Sequence, residues 1–168
     1  MTKMIYVLAA MSLLVAVGRS DAGSNLAAPE INASSWINAA PQSLSDLRGK
    51  VVLVEFWTFG CYNCRNVEPH VKDWDRQFRD SGLVVIGVHT PETDYERDLG
   101  NVKRYVAEHD LRYPIAIDGD AAIWRSYRNQ VWPAWYLVDK HGVIRAVHIG
   151  EGAYSETERE IQTLLGES

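Results

Sequence analysis

The stretch Val51–Val71, VVLVEFWTFGCYNCRNVEPHV, constrains this chain more than any other. Its opening run Val51–Trp57 is apolar on both faces, as a strand buried between two helical layers must be. It is too short to cross a bilayer, which takes about 20 residues. The run ends at Gly60 and a Cys-x-x-Cys. Beyond it, Cys64, Val67, Val71, Trp74 and Phe78 recur at helical spacing and mark one buried face. Strand, tight turn, two thiols, helix: that order sets Cys61 and Cys64 where the chain leaves a sheet and enters a helix. Pro69 falls inside the helix and is expected to kink it.

A cysteine at a helix start faces unpaired backbone N–H groups and the positive end of the helix dipole, both of which favour thiolate over thiol. The thiolate is the species that attacks a disulfide. Cys61 is therefore expected to be the nucleophile. Cys64, one turn further in on the buried face, is the resolving thiol. A purely structural disulfide closing so short a loop would contribute about 2 kcal/mol before strain. Disulfide-stapled domains are also usually cysteine-rich, and this chain has 2 cysteines in 168 residues. A metal site is not expected, because no second cysteine pair exists and the 5 histidines are scattered.

Two further residues break local pattern. Glu55 puts a carboxylate on a strand apolar on both faces, where desolvation raises its pKa. It is expected to handle the proton of Cys64; the alternative is an edge position from which it reaches water. Trp132-Pro133 precedes the strand-like run Ala134–Val138. A cis bond there would turn the chain sharply and present backbone beside the thiols, although an ordinary trans proline before a strand fits the same spacing.

The remaining chain supplies an α/β framework. Trp36-Ile37 begins an edge strand, SLSDLRG at Ser43–Gly49 is a turn, and Leu83–Val88 is a second fully apolar strand. Thr93-x-x-Glu96 has the form of a capping box opening a helix through about His109, with a weak point at Gly100-Asn101. Tyr113–Ile117 is a short extended piece and Ala121–Tyr127 a short helix. Ala134–Val138 and Val143–Ile149 are joined by a hairpin turn. A second capping box at Ser155-x-x-Glu158 opens a last helix buried through Ile161, Leu164 and Leu165 and closed by Gly166. The result is a mixed central sheet, parallel first and antiparallel at the end, with helices on both faces and a C-terminal β-hairpin followed by a helix.

Residues 1–22 read as a signal peptide: Lys3, the apolar run Met4–Val17, then small residues Ser20 and Ala22 at a cleavage site. An uncleaved amino-terminal anchor is the alternative, and either reading exports the protein. Residues 23–40 are a lead-in, flexible over Gly23–Asn32, and 41–168 a single domain. With 17 basic and 22 acidic residues the formal charge is −5, which argues against a nucleic-acid or anionic-membrane partner.

Phe56-Trp57, Cys61-x-x-Cys64, Pro69 in the following helix and a later proline before the hairpin resemble the thioredoxin fold. The leader and the helix-bearing segment between Val88 and Pro133 are similar to its exported TlpA/ResA-like branch. FWTFGCYNC, GVHTPE, YRNQVWPAWYLVD and GEGAYSETE resemble the periplasmic thioredoxin-like domain of DipZ-type cytochrome c biogenesis proteins, over most of Leu44–Leu165. This resemblance implies Cys61 and Cys64 as a redox pair, Pro133 as a cis proline and Glu55 as the family's buried acid. It also implies Glu92 as an acid near the thiols, for which the solvent-facing first turn of a helix is the alternative, and Trp57 as part of the site wall. Two positions depart from the thioredoxin pattern. Gly60 stands where tryptophan is usual before the first cysteine, and Trp132 stands where the residue before the proline is usually small or β-branched; its indole either narrows the choice of partner or packs on the cysteine pair.

The function expected on these grounds is exchange of the Cys61/Cys64 dithiol with protein disulfides, chiefly as a reductase, in an exported and periplasmic setting. It needs no cofactor, because the dithiol holds the electrons. In an oxidising compartment the reduced form requires an electron donor, for which a membrane transporter of the DipZ type is the expectation. Competing readings are a thiol peroxidase and a non-catalytic module that binds metal through its thiols.

Overall fold

Side-chain alternation along one central strand divides the core in two. Among the described residues six strands form a single sheet: β1 (Ser35–Ile37), β2 (Val51–Trp57), β3 (Leu83–His89), β4 (Ile115–Ile117), β5 (Ala134–Val138) and β6 (Ile144–Ile149), in the order β1-β4-β3-β2-β5-β6. These coordinates are a computed structural model describing residues 26–167. The expected signal peptide, residues 1–22, lies outside the described residues. β2 runs parallel to β3, which runs parallel to β4, whereas β1/β4, β2/β5 and β5/β6 are antiparallel. Flanked on both edges and covered on both faces, β2 buries all 7 of its residues.

Five α-helices among the described residues flank the sheet: α1 (Tyr62–Phe78), α2 (Asp94–Arg97), α3 (Leu99–Glu108), α4 (Ala122–Ser126) and α5 (Tyr154–Gly166). Val51, Leu53 and Trp57 of β2 face Cys64, Val67, Val71, Trp74 and Phe78 of α1, together with Val102 and Val106 of α3 and Ile161 and Leu164 of α5. Val52, Val54 and Phe56 face the other way, onto Ile31, Leu44, Ile123 and Tyr127. The helical stripe expected from Cys64 to Phe78 is thus the buried face of α1, with Asp75 added to it.

Three expectations are corrected. Rather than flexible, the lead-in is tied to the sheet by backbone hydrogen bonds from its first described residue, Leu26, whose carbonyl accepts from the Ile144 amide. Ala27 bridges Val143, Ile31 is 3% exposed, and the Glu30 carboxylate accepts from the Leu44 and Ser45 amides. The edge strand expected at Trp36-Ile37 is β1, which lies within residues 23–40. The helix expected over Thr93–His109 is two helices, and the break falls at Asp98 rather than at Gly100-Asn101. Asp98 adopts extended backbone and its carboxylate accepts from the Asn101 amide. A short acidic side chain that caps a new helix competes with continuation of the old one. The capping box read at Ser155 does not form: α5 starts at Tyr154, its N-cap is Ala153 at φ 50°, and no side chain caps it. By contrast, the capping box of Thr93 and Glu96 is present.

Gly87 of β3 pairs with Glu55, and the space where its side chain would stand is filled. A Cβ there would meet Trp57 Nε1 at 2.8 Å and side-chain carbons of Ile115 and Tyr113 at 3.0 Å. Gly87→Ala is expected to destabilise the fold by about 1–3 kcal/mol through overpacking. Urea unfolding monitored by far-UV circular dichroism checks this, and an unchanged midpoint would contradict it.

Candidate active site

β2 delivers the chain to the site and α1 takes it away. Cys61 is the N-cap of α1, in extended backbone, and its Sγ accepts from the Cys64 amide at 3.1 Å. One of the helix's otherwise unpaired N–H groups is thereby directed at sulfur. The first turn of α1 carries no acidic side chain, so nothing there offsets the positive pole of the helix. Cys61 is partly exposed while Cys64 is 4% exposed, and the two are joined as a disulfide with Cα atoms 5.3 Å apart. The surface therefore offers one sulfur and conceals the other.

Glu55 is 2% exposed, so it does not reach water from an edge. It lies on a central strand between Gly87 and Trp135, and by alternation it shares the α1 face with Leu53 and Trp57. Burial first, and the neighbouring Glu68 carboxylate second, push its pKa up from 4.5 to about 8; a hydrogen bond donated by Tyr113 Oη at 3.5 Å opposes them. At neutral pH this group is largely a neutral acid holding a proton in the core layer that also contains Cys64.

The mouth of the site is a groove of about 460 Å³ lined by Cys61, Tyr62, Glu92, Val131 and Trp132, among others. Glu92 is exposed on its rim. Trp132 is half-buried and its ring lies 4.2 Å from that of Trp124, centroid to centroid. Trp124 is itself placed by Asp118, whose buried carboxylate accepts from the Ile123 and Trp124 amides. The Trp132–Pro133 peptide is cis; Pro133 is buried, and its carbonyl accepts from the Gly150 amide at 2.8 Å.

Trp57 does not line this groove. It is 4% exposed and packs edge-on to His89, with its ring also against Tyr105. As the last residue of a strand buried on both faces it belongs to the floor beneath the site. His89 is buried with it, and burial pushes its pKa down to about 4, so it stands there as a neutral imidazole.

Sequence reasoning missed Glu96 as a site residue, reading it only as half of a capping box. One of its carboxylate oxygens reaches the amide of Gly60, next to Cys61, at 2.9 Å. The available signal was Gly60 itself, at a position where the resemblance calls for tryptophan. Tyr113, the partner of Glu55, carried no comparable signal.

Residues 25–147 match the family model described as AhpC/TSA. The chain belongs to the AhpC/TSA family. Over 145 residues it is 45% identical to protein DipZ of Mycobacterium bovis and of Mycobacterium tuberculosis, an alignment covering 84% of this chain but 21% of DipZ. The chain therefore spans about a fifth of those relatives. It is 30% identical over 141 residues to the thiol-disulfide oxidoreductase YkuV of Bacillus subtilis, covering 83% of this chain and 95% of YkuV. Among solved structures, a thiol-disulfide isomerase from Corynebacterium glutamicum superposes with a TM-score of 0.76 at 28% identity, covering 84% of this chain and 98% of that one. The fold is thioredoxin-like, and the chain is related to the TlpA/ResA-like and DipZ-type domains. Among the described residues no helix is long and apolar enough to cross a membrane.

The perturbed Glu55 makes a signed prediction. The folded protein holds the Glu55 proton to about pH 8, whereas an ordinary carboxyl releases it near 4.5. Between those values the folded state binds more protons than the unfolded one, so wild type loses stability as pH rises. Glu55→Gln is expected to gain on wild type across this range, by on the order of 4 kcal/mol once Glu55 is ionised. Urea midpoints across pH check this; parallel curves for the two proteins would contradict it.

Proposed function

We propose that this protein is an exported reductase of protein disulfides, with Cys61 as nucleophile and Cys64 as resolving thiol. The observation that carries this reading is the division of the pair: Cys61 is partly exposed at the N-cap of α1 and Cys64 is buried one turn inside it. In the reduced protein the Cys61 thiolate attacks one sulfur of a target disulfide. A mixed disulfide forms, and the departing target thiolate takes up a proton. In the minority of molecules whose Glu55 is ionised at neutral pH, the Cys64 thiol passes its proton to that carboxylate and attacks the Cys61 sulfur. The second target thiolate leaves, Cys61–Cys64 is closed, and two electrons have moved to the target. In the reverse direction, protonated Glu55 returns its proton to Cys64 as that thiol is released.

No cofactor enters this scheme, since the thiols carry the electrons. Each turnover leaves the protein oxidised, so an external dithiol must reduce it. Similarity to DipZ supports a membrane electron donor of that type, and the resemblance to cytochrome c biogenesis domains supports maturation substrates among the targets. The apolar run Met4–Val17 supports export to the periplasm. Glu92 and Trp132 face the groove from which a target approaches Cys61, and we assign them contact with it. Pro133 shapes the backbone beside them.

Cys64→Ala expressed in cells is expected to accumulate mixed disulfides through Cys61 to a small set of exported proteins, visible as reductant-sensitive bands. Cys61→Ser should give none. Absence of adducts, with wild-type behaviour of Cys61→Ser, would defeat the reading. Turnover of hydrogen peroxide in place of protein disulfides would favour a peroxidase. Glu55→Gln is expected to slow resolution of the mixed disulfide by roughly 100-fold and to flatten its pH dependence, measured by stopped-flow mixing.

A further inference from the structure

Glu96 accepts three backbone hydrogen bonds from two separate segments. Its Oε1 takes the Gly60 amide at 2.9 Å, and its Oε2 takes the amides of Glu92 at 2.7 Å and Thr93 at 2.9 Å. The side chain is 3% exposed. The capping box that starts α2 is completed by the Thr93 hydroxyl, which accepts from the Glu96 amide. That cap uses only Oε2, so the bond from Gly60 is additional to anything the helix needs.

The two segments meet at the same groove. Gly60, which adjoins Cys61, and Glu92 both line it. The fit on the Gly60 side leaves no room for a side chain, since a Cβ there would lie 2.0 Å from Glu96 Oε1. The glycine at this position and the buried carboxylate 36 residues later are two halves of one contact.

We propose that Glu96 is a positioning residue for the exchange reaction, tying the Gly60–Cys61 turn to the Glu92–Thr93 segment so that a protein disulfide meets a groove lining of fixed shape. This rests on the reading of Cys61 as nucleophile. A carboxylate is needed because three donors converge on it: an ionised carboxylate only accepts, whereas glutamine places an NH₂ against at least one N–H. Glu96→Gln therefore releases one of the two segments. Gly60→Ala expels Oε1 and breaks the same bond from the other side.

Each single variant is expected to lose about 10- to 100-fold in kcat/KM towards a protein disulfide such as insulin, with little loss towards a small aromatic disulfide that does not span the groove. The double variant should be no slower than the poorer single, because the second change has nothing left to break. Losses that multiply in the double variant, or that fall equally on the small disulfide, overturn the proposal. Amide hydrogen exchange on the wild type decides the point even where a variant does not fold. Gly60 should exchange as slowly as Glu92 and Thr93, and exchange at the rate of a free loop amide overturns the tie. A wild type that exchanges no disulfides would instead defeat the assignment of Cys61, leaving the exchange measurement to judge Glu96 separately.

Discussion

The structure depends on the positive pole of one helix being held at the surface with a sulfur as its cap. α1 runs 17 residues, so its dipole is fully developed at Cys61. A pole of this kind has chemical use only if it cannot wander. β2 prevents that, because it is paired on both edges and buried along its length. The turn between Trp57 and Cys61 is thus anchored by a strand paired on both edges and buried throughout, and the partly exposed sulfur inherits its rigidity. Glu96 and Trp132 add restraint from the neighbouring loops.

Into this rigid layer the protein introduces one polar liability. Glu55 sits where any aliphatic residue would pack without penalty, and the Tyr113 hydroxyl, 3.5 Å away, is a weak partner. The cost is moderated because burial keeps the carboxyl protonated through neutral pH, which spares the core a full charge. A neutral acid with a proton affinity near that of its surroundings is well matched to a thiol that must alternate between bound and free proton. The destabilisation and the proposed chemistry have the same origin, the exclusion of water from the α1 face of β2.

How much of this was legible beforehand follows from the range of the forces involved. Strand β2, the buried face of α1, the terminal hairpin and the junction bearing Cys61 are set by periodicity and local turn chemistry, so they can be read from neighbouring residues. Glu55 was conspicuous because a charge interrupts an apolar run. What escaped reading was decided by contacts distant in sequence. The packed lead-in depends on Glu30 meeting the Leu44 and Ser45 amides. The second role of Glu96 depends on Gly60, and the withdrawal of Trp57 from the groove depends on His89 and Tyr105 closing over it. Ser155-x-x-Glu158 misled because Ala153, in a left-handed conformation, caps the helix two residues earlier. Local pattern proposes a cap, and the path of the incoming chain decides whether it is used.

A cap made of sulfur also changes character with oxidation. In the disulfide, Sγ of Cys61 is a neutral acceptor for the Cys64 amide; in the thiolate it becomes an anion facing the same dipoles. The folding equilibrium of the chain is therefore coupled to its electron count. Whatever free energy the folded helix lends to the anion, it withholds from the closed bond, so thermal robustness and reducing power trade against each other through a single atom.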